Sequence, residues 1–170
     1  MPKAAKAYVR YIDRTSKAMG KFAMYIVLGM IGVLLHETIS RTIFNYPRIW
    51  TVEVAQFTMA AYYFLGGAYT LLIGGHVRMD LFYGRWSAKK RAAADAITFS
   101  VLLFYVVYLL IGGISGVQYA LEYSQVNFSS WQPPMAPIKI IMVFGIVLML
   151  LQVVGQFLKD LAMARGKAIT

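Results

Sequence analysis

His76, Arg78 and Asp80 stand within five positions of one another, directly after the apolar run that ends at Gly74 and Gly75. Histidine beside a carboxylate is the raw material of acid–base chemistry and of metal ligation. If this joint is helical, His76 and Asp80 lie one turn apart and can pair. A second polar group, His36 and Glu37 with Arg41 four residues on, interrupts an earlier apolar run. The chain has two histidines and no cysteine, which excludes thiolate nucleophiles, thiolate metal sites and disulfides. There is no H-E-x-x-H sequence and no nucleophile motif around any serine. A haem held by two histidines would need His36 and His76 on one iron. The apolar segment between them puts them about a membrane thickness, roughly 30 Å, apart. The expectation is a protein with no catalytic, cofactor-binding or metal site, hence not an enzyme.

The elements that position these residues follow from composition. Apolar residues make up 59% of the 170 and mean hydropathy is +0.60, too high for an ordinary soluble domain. Seventeen Lys and Arg against seven Asp and Glu would suit a nucleic-acid binder only if clustered on a soluble face. Here they lie between apolar runs, so membrane lipid is the expected partner and nucleic acid is not. The fold class expected is all-α, one integral membrane domain over 1–170 with four transmembrane helices at 22–44, 54–73, 97–117 and 138–158. Residues 1–21 hold six bases with apolar residues interleaved. They form either an amphipathic helix in the headgroup layer or a solvated tail that sets topology.

Each break has its own signal. The first span is uninterrupted only to Leu35, about 21 Å at roughly 1.5 Å per residue, so it must run past His36. Glu37 and Arg41 then fall one turn apart and can neutralise each other, either within the bilayer or in the outer headgroups. Asn45-Tyr46-Pro47 ends the helix, Trp50 is an interfacial anchor, and Thr51 is the expected N-cap, with Glu53 where the helix dipole favours an acid. Gly112 and Gly116 share a face suited to close helix packing. The loop 124–137 carries Trp131 and three prolines, which stiffen it. Gln152 and Gln156, at i and i+4, can hydrogen-bond to another helix.

Counting bases sets orientation. The two tails and the second connection hold fourteen, the first and third connections three. By the positive-inside rule both termini and the His76–Asp80 joint are expected to be cytoplasmic. No charge falls midway along spans two, three or four, so a self-sufficient transport path is not evident.

Taken in order, Arg41-Thr-Ile-Phe-Asn, Trp50-Thr-Val-Glu53, Phe64-Leu-Gly-Gly-Ala68 and Gly75-His-Val-Arg-Met-Asp80-Leu resemble the small permease subunit, the DctQ-like component, of tripartite ATP-independent periplasmic (TRAP) transporters. Trp131-Gln-Pro-Pro, Pro137-Ile-Lys139, Gly145 and Gln152 extend the resemblance. It implies a multi-pass protein of the bacterial inner membrane, bound to a large multi-span permease subunit. That partner carries sodium ions and substrate, and a periplasmic solute-binding protein delivers an organic acid anion for uptake by symport. It implies no transport site on this chain; Arg41, Trp50, Glu53, His76, Arg78 and Asp80 carry over as structural or interface residues. The alternatives are a stand-alone four-helix homodimeric exporter and a structural anchor of another membrane complex.

Overall fold

Residues 3–43 contain no proline and only isolated glycines, so nothing in them stops a helix once it has started. In the computed structural model, which describes the backbone at 3–75 and 88–164 and side chains at 4–75 and 98–159, they form one element, α1 (Lys3–Ile43). From Lys3 onward the basic segment is therefore no separate tail. It is the first half of a helix about 61 Å long at 1.5 Å per residue, twice a hydrocarbon core of about 30 Å. After α1 come α2 (Thr51–Leu72), α3 (Ala88–Glu122) and α4 (Ala136–Ala164). Three of the four run well beyond the expected apolar bounds, because the backbone ladder continues as readily through polar side chains as through apolar ones.

The helix ends are chemically marked. Asn45 adopts a left-handed φ of 49° just past α1, a conformation asparagine tolerates. At the end of α2, Gly74 takes φ 68°, its N–H donates to Leu71 O and that of Gly75 to Thr70 O. These are the two bonds of a Schellman cap, which glycine closes without a Cβ penalty. Ser124, at φ 45°, plays the same part after α3, with the Gln125 N–H returning to Ala120 O at 3.0 Å. The joint holding His76, Arg78 and Asp80 lies outside the described residues.

Among the described residues, three helices are long and apolar enough to cross a membrane, over Ala4–Ile43, Thr98–Glu122 and Ala136–Lys159. The fourth, α2, has 22 residues, about 33 Å. It is less apolar, because it carries Thr51, Glu53, Gln56, Thr58 and Thr70. Thr51 and Glu53 are buried, together with Ala55, Ala61, Leu65 and Ala68.

Packing runs through α4. It contacts α2 and α3 extensively and also meets α1, while α2 in turn packs against α1. Two glycines set how close the helices come. A methyl built on Gly145 of α4 would lie 2.6 Å from the Phe64 carbonyl oxygen and 2.7 Å from its carbon, so here α4 lies directly on the backbone of α2. On Gly20 of α1 it would lie 2.8 Å from Tyr69 Cβ. Gly20 thus meets the end of α2 while Glu37 meets its start, which makes α1 and α2 antiparallel. Gly67 lies opposite Met149 and Gly145 opposite Phe64, which makes α2 and α4 parallel. The start of α1 and the end of α4 share one end of the bundle. The pair singled out from spacing lies elsewhere: a methyl on Gly112 or Gly116 would meet nothing within 4 Å. Within this chain the close approach of α3 falls at the neighbouring Gly113, where Val143 Cγ2 is 3.1 Å from such a methyl.

Replacing Gly145 with alanine forces a methyl against the Phe64 backbone and is expected to lower stability by about 1–3 kcal/mol, the usual cost of overpacking. Gly112→Ala should stay within about 0.5 kcal/mol. Thermal unfolding of the two variants in one detergent checks the difference.

Candidate functional site

The described polar side chains gather at the two ends of the bundle. At the end of α1, Glu37 is 8% exposed and its carboxylate organises the connection to α2. Thr51 Oγ1 donates to Glu37 Oε2 at 2.8 Å and the Arg48 backbone N–H donates to the same oxygen at 3.3 Å. Arg41 Nη2 lies 3.1 Å from Oε1, with the guanidinium itself largely exposed. A hydroxyl has one proton, and a bond to a carboxylate is stronger than one to a neutral carbonyl. The Arg48 carbonyl, 2.9 Å from the same hydroxyl, therefore competes for it from the weaker position.

Thr51 is accordingly not the N-cap that its residue type suggests. The cap position belongs to Trp50, with no side-chain cap bond, because the threonine hydroxyl is drawn across to Glu37 instead of back to its own helix. The Trp50 ring lies beside His36, centroids 6.1 Å apart and planes at 29°. Arg48 sits over the Tyr46 ring at 4.9 Å. Glu53, one turn into α2, is 6% exposed, and its Oε2 is buried with no hydrogen-bond partner among the described residues. Its position in the first turn is where the helix dipole favours a negative charge.

The other end is tied between α1 and α4. Ser16 donates to Gln152 Oε1 at 2.7 Å, and Gln152 Nε2 donates to Asp13 Oδ1 at 3.1 Å. Lys159 Nζ reaches Oδ1 and Oδ2 of Asp13, each at 2.8 Å. Tyr8 adds a bond from its hydroxyl to the Leu151 carbonyl at 3.0 Å. Ser16 is 1% exposed and Gln152 is fully buried, so both ends of the amide are satisfied where leaving them bare would be costly. Gln156, one turn further, is half-buried. The partners Tyr8, Asp13 and Ser16 escape a reading that treats 1–21 as a tail. The available signal was the spacing of Val9, Ile12, Ser16 and Ala23, which marks one helical face and places a serine in an otherwise apolar stripe; all four are buried.

Between α3 and α4, Lys139 Nζ donates to Gln125 Oε1 at 2.6 Å and to Gly116 O at 3.2 Å. The ammonium turns inward to lock the loop rather than out to solvent. Asn127 N–H to Pro133 O and Met135 N–H to Gln125 O, both 2.9 Å, close the loop further, leaving Trp131 42% exposed. The structure thus brings Glu37, Arg41 and Trp50 into one connection and gives Gln152 to the opposite end. At Gly112 and Gly116 an added methyl would meet no part of α4, and Gly116 reaches α4 only through its carbonyl, which accepts from Lys139.

Much of what remains outward on α1 and α3 is apolar. Phe22, Tyr25 and Leu28 of α1 and Phe104, Tyr105 and Tyr108 of α3 are each more than half exposed. Among the described residues no group of three or more His, Asp and Glu could hold a metal. The polar groups can order connections and helix contacts, and the apolar faces can meet lipid or another membrane protein.

The family described as "Tripartite ATP-independent periplasmic transporters, DctQ component" matches residues 30–163, which takes in the Glu37 connection, all of α2, α3 and nearly all of α4. No curated protein matches the chain.

Gln152→Leu leaves the Ser16 hydroxyl and the Asp13 carboxylate short of a partner and is expected to cost about 1–3 kcal/mol. Ser16→Ala strands the amide oxygen at a similar cost. If the two act through one bond, the double variant loses less than the sum by about 0.5 kcal/mol or more. Strict additivity in thermal unfolding would separate them.

Proposed function

Because the chain belongs to the family of DctQ components, the small permease subunits of TRAP transporters, and is a membrane transport component and not an enzyme, we propose that it is the supporting subunit of such a transporter. It assembles with a large multi-span permease in the bacterial inner membrane. The larger subunit binds sodium ions and substrate, and a periplasmic binding protein supplies an organic acid anion. All four helices cross the bilayer, α2 included, with both termini in the cytoplasm.

The observation that carries this reading is where the charges lie. Asp13 and Lys159 are tied at one end, and Glu37, Arg41 and Lys139 are held at the other. Among the described residues no acid or base lies in the apolar middle of the helices, where a transport path would need one. Two of the polar residues of α2, Thr51 and Glu53, are buried within the bundle, which lowers the cost of placing it in lipid. The excess of bases in the tails and second connection supports cytoplasmic termini.

Two measurements test it. The chain has no cysteine, so single cysteines report sidedness cleanly. Phe128→Cys, fully exposed in the α3–α4 loop, should react with a membrane-impermeant maleimide in intact spheroplasts, and Ala4→Cys only after permeabilisation. Purification of the tagged chain in mild detergent should recover a large multi-span permease in stoichiometric amount. Recovery of a peripheral dehydrogenase, or of the chain alone as a homodimer, would contradict the proposal.

A further inference from the structure

The first half of α1 holds more positive charge than its contacts use. At about 100° per residue, Lys6, Arg10, Asp13 and Lys17 fall within an arc of about 60°, with Arg14 on its flank. The buried stripe of Val9, Ile12 and Ser16 fixes that arc beside α4 rather than away from it. Between the two helices lies a cavity of about 330 Å³ lined by Lys6, Val9, Arg10, Asp13, Arg14, Lys17 and Lys159. Among the described residues its one carboxylate, Asp13, is already engaged by Lys159 and Gln152. Among the described residues, Lys6, Arg10, Arg14 and Lys17 have no acidic partner. Four cations around one cavity repel each other unless an anion sits among them.

The level of the cavity narrows the choice of anion. Lys159 is the first charged residue of α4 after Lys139, and the uninterrupted apolar run of α1 begins at Phe22. The cavity therefore lies where hydrocarbon gives way to headgroups, with Val9 on its wall and the apolar side chains of α1 below it. Arginine and lysine in this setting match a phosphate oxygen fork and its charge. We infer that this cavity binds a phosphate-bearing anion, the headgroup of an acidic phospholipid whose acyl chains run down the exposed apolar face of α1.

The test uses the full chain purified in mild detergent, delipidated, and titrated with phosphatidylglycerol, phosphatidylcholine or inorganic phosphate while bound species are counted by native mass spectrometry. Phosphatidylglycerol should bind at one preferred site, and Arg10→Gln/Arg14→Gln should weaken it about tenfold or more. Lys21→Gln/Arg48→Gln, which removes the same charge outside the cavity, should leave it within about twofold. Lys6→Gln/Lys17→Gln, which leaves both arginines in place, should also weaken binding, and circular dichroism confirms that each variant keeps its helix. Equal loss in the Lys21/Arg48 control, or no preference over phosphatidylcholine, overturns the site. Binding of inorganic phosphate without phosphatidylglycerol overturns the lipid source. The readout involves no transport, so it stands or falls apart from the subunit assignment.

Discussion

Gly145 of α4 lies on the backbone carbonyl of Phe64 in α2, so close that a Cβ would not fit. In lipid, apolar side chains gain little by leaving one apolar surrounding for another, so helices associate through close van der Waals contact and hydrogen bonds. Gly145 supplies the first of these at the middle of α4. The second is supplied towards its two ends, by Lys139 on Gln125 and by Gln152 and Lys159 on Asp13. With its middle and both ends fixed, α4 carries α2 on one side and α3 on another, and α1 closes over α2 and the end of α4.

This arrangement spends its polar groups on holding itself together. The Glu37 carboxylate orders the α1–α2 connection, Lys139 orders the α3–α4 loop, and Gln152 joins two helices that are far apart in sequence. The apolar faces of α1 and α3 are left outward. A subunit that widens a scaffold needs a stiff interior and an apolar exterior, and has no use for a polar path through its middle. The long α1 adds a second feature, since its basic half rises past the apolar band and is held upright against α4.

The four-helix plan was legible because each apolar run is long and its breaks are chemically sharp, as at Asn45-Tyr46-Pro47 and Gly74-Gly75. The proximity of Glu37 and Arg41 was legible because i and i+4 share a face. What local reading missed is tertiary. Thr51 looks like a cap to anyone reading only its neighbours, and its hydroxyl goes instead to a residue fourteen positions earlier. Asp13 and Ser16 look like tail residues until α4, more than 130 positions on, is laid beside them. Spacing alone favoured Gly112 and Gly116, whereas contact chose Gly113 and Gly145, because a small residue matters only where another backbone arrives.

The central claim is that this chain supports transport without performing it. The most direct measurement is sodium-driven uptake of a labelled organic acid anion into proteoliposomes, with the binding protein present. Vesicles holding this chain alone should show no uptake above empty vesicles, those holding the large permease alone little, and those holding both a sodium-dependent rate. Ion-coupled transport by this chain alone would contradict the account.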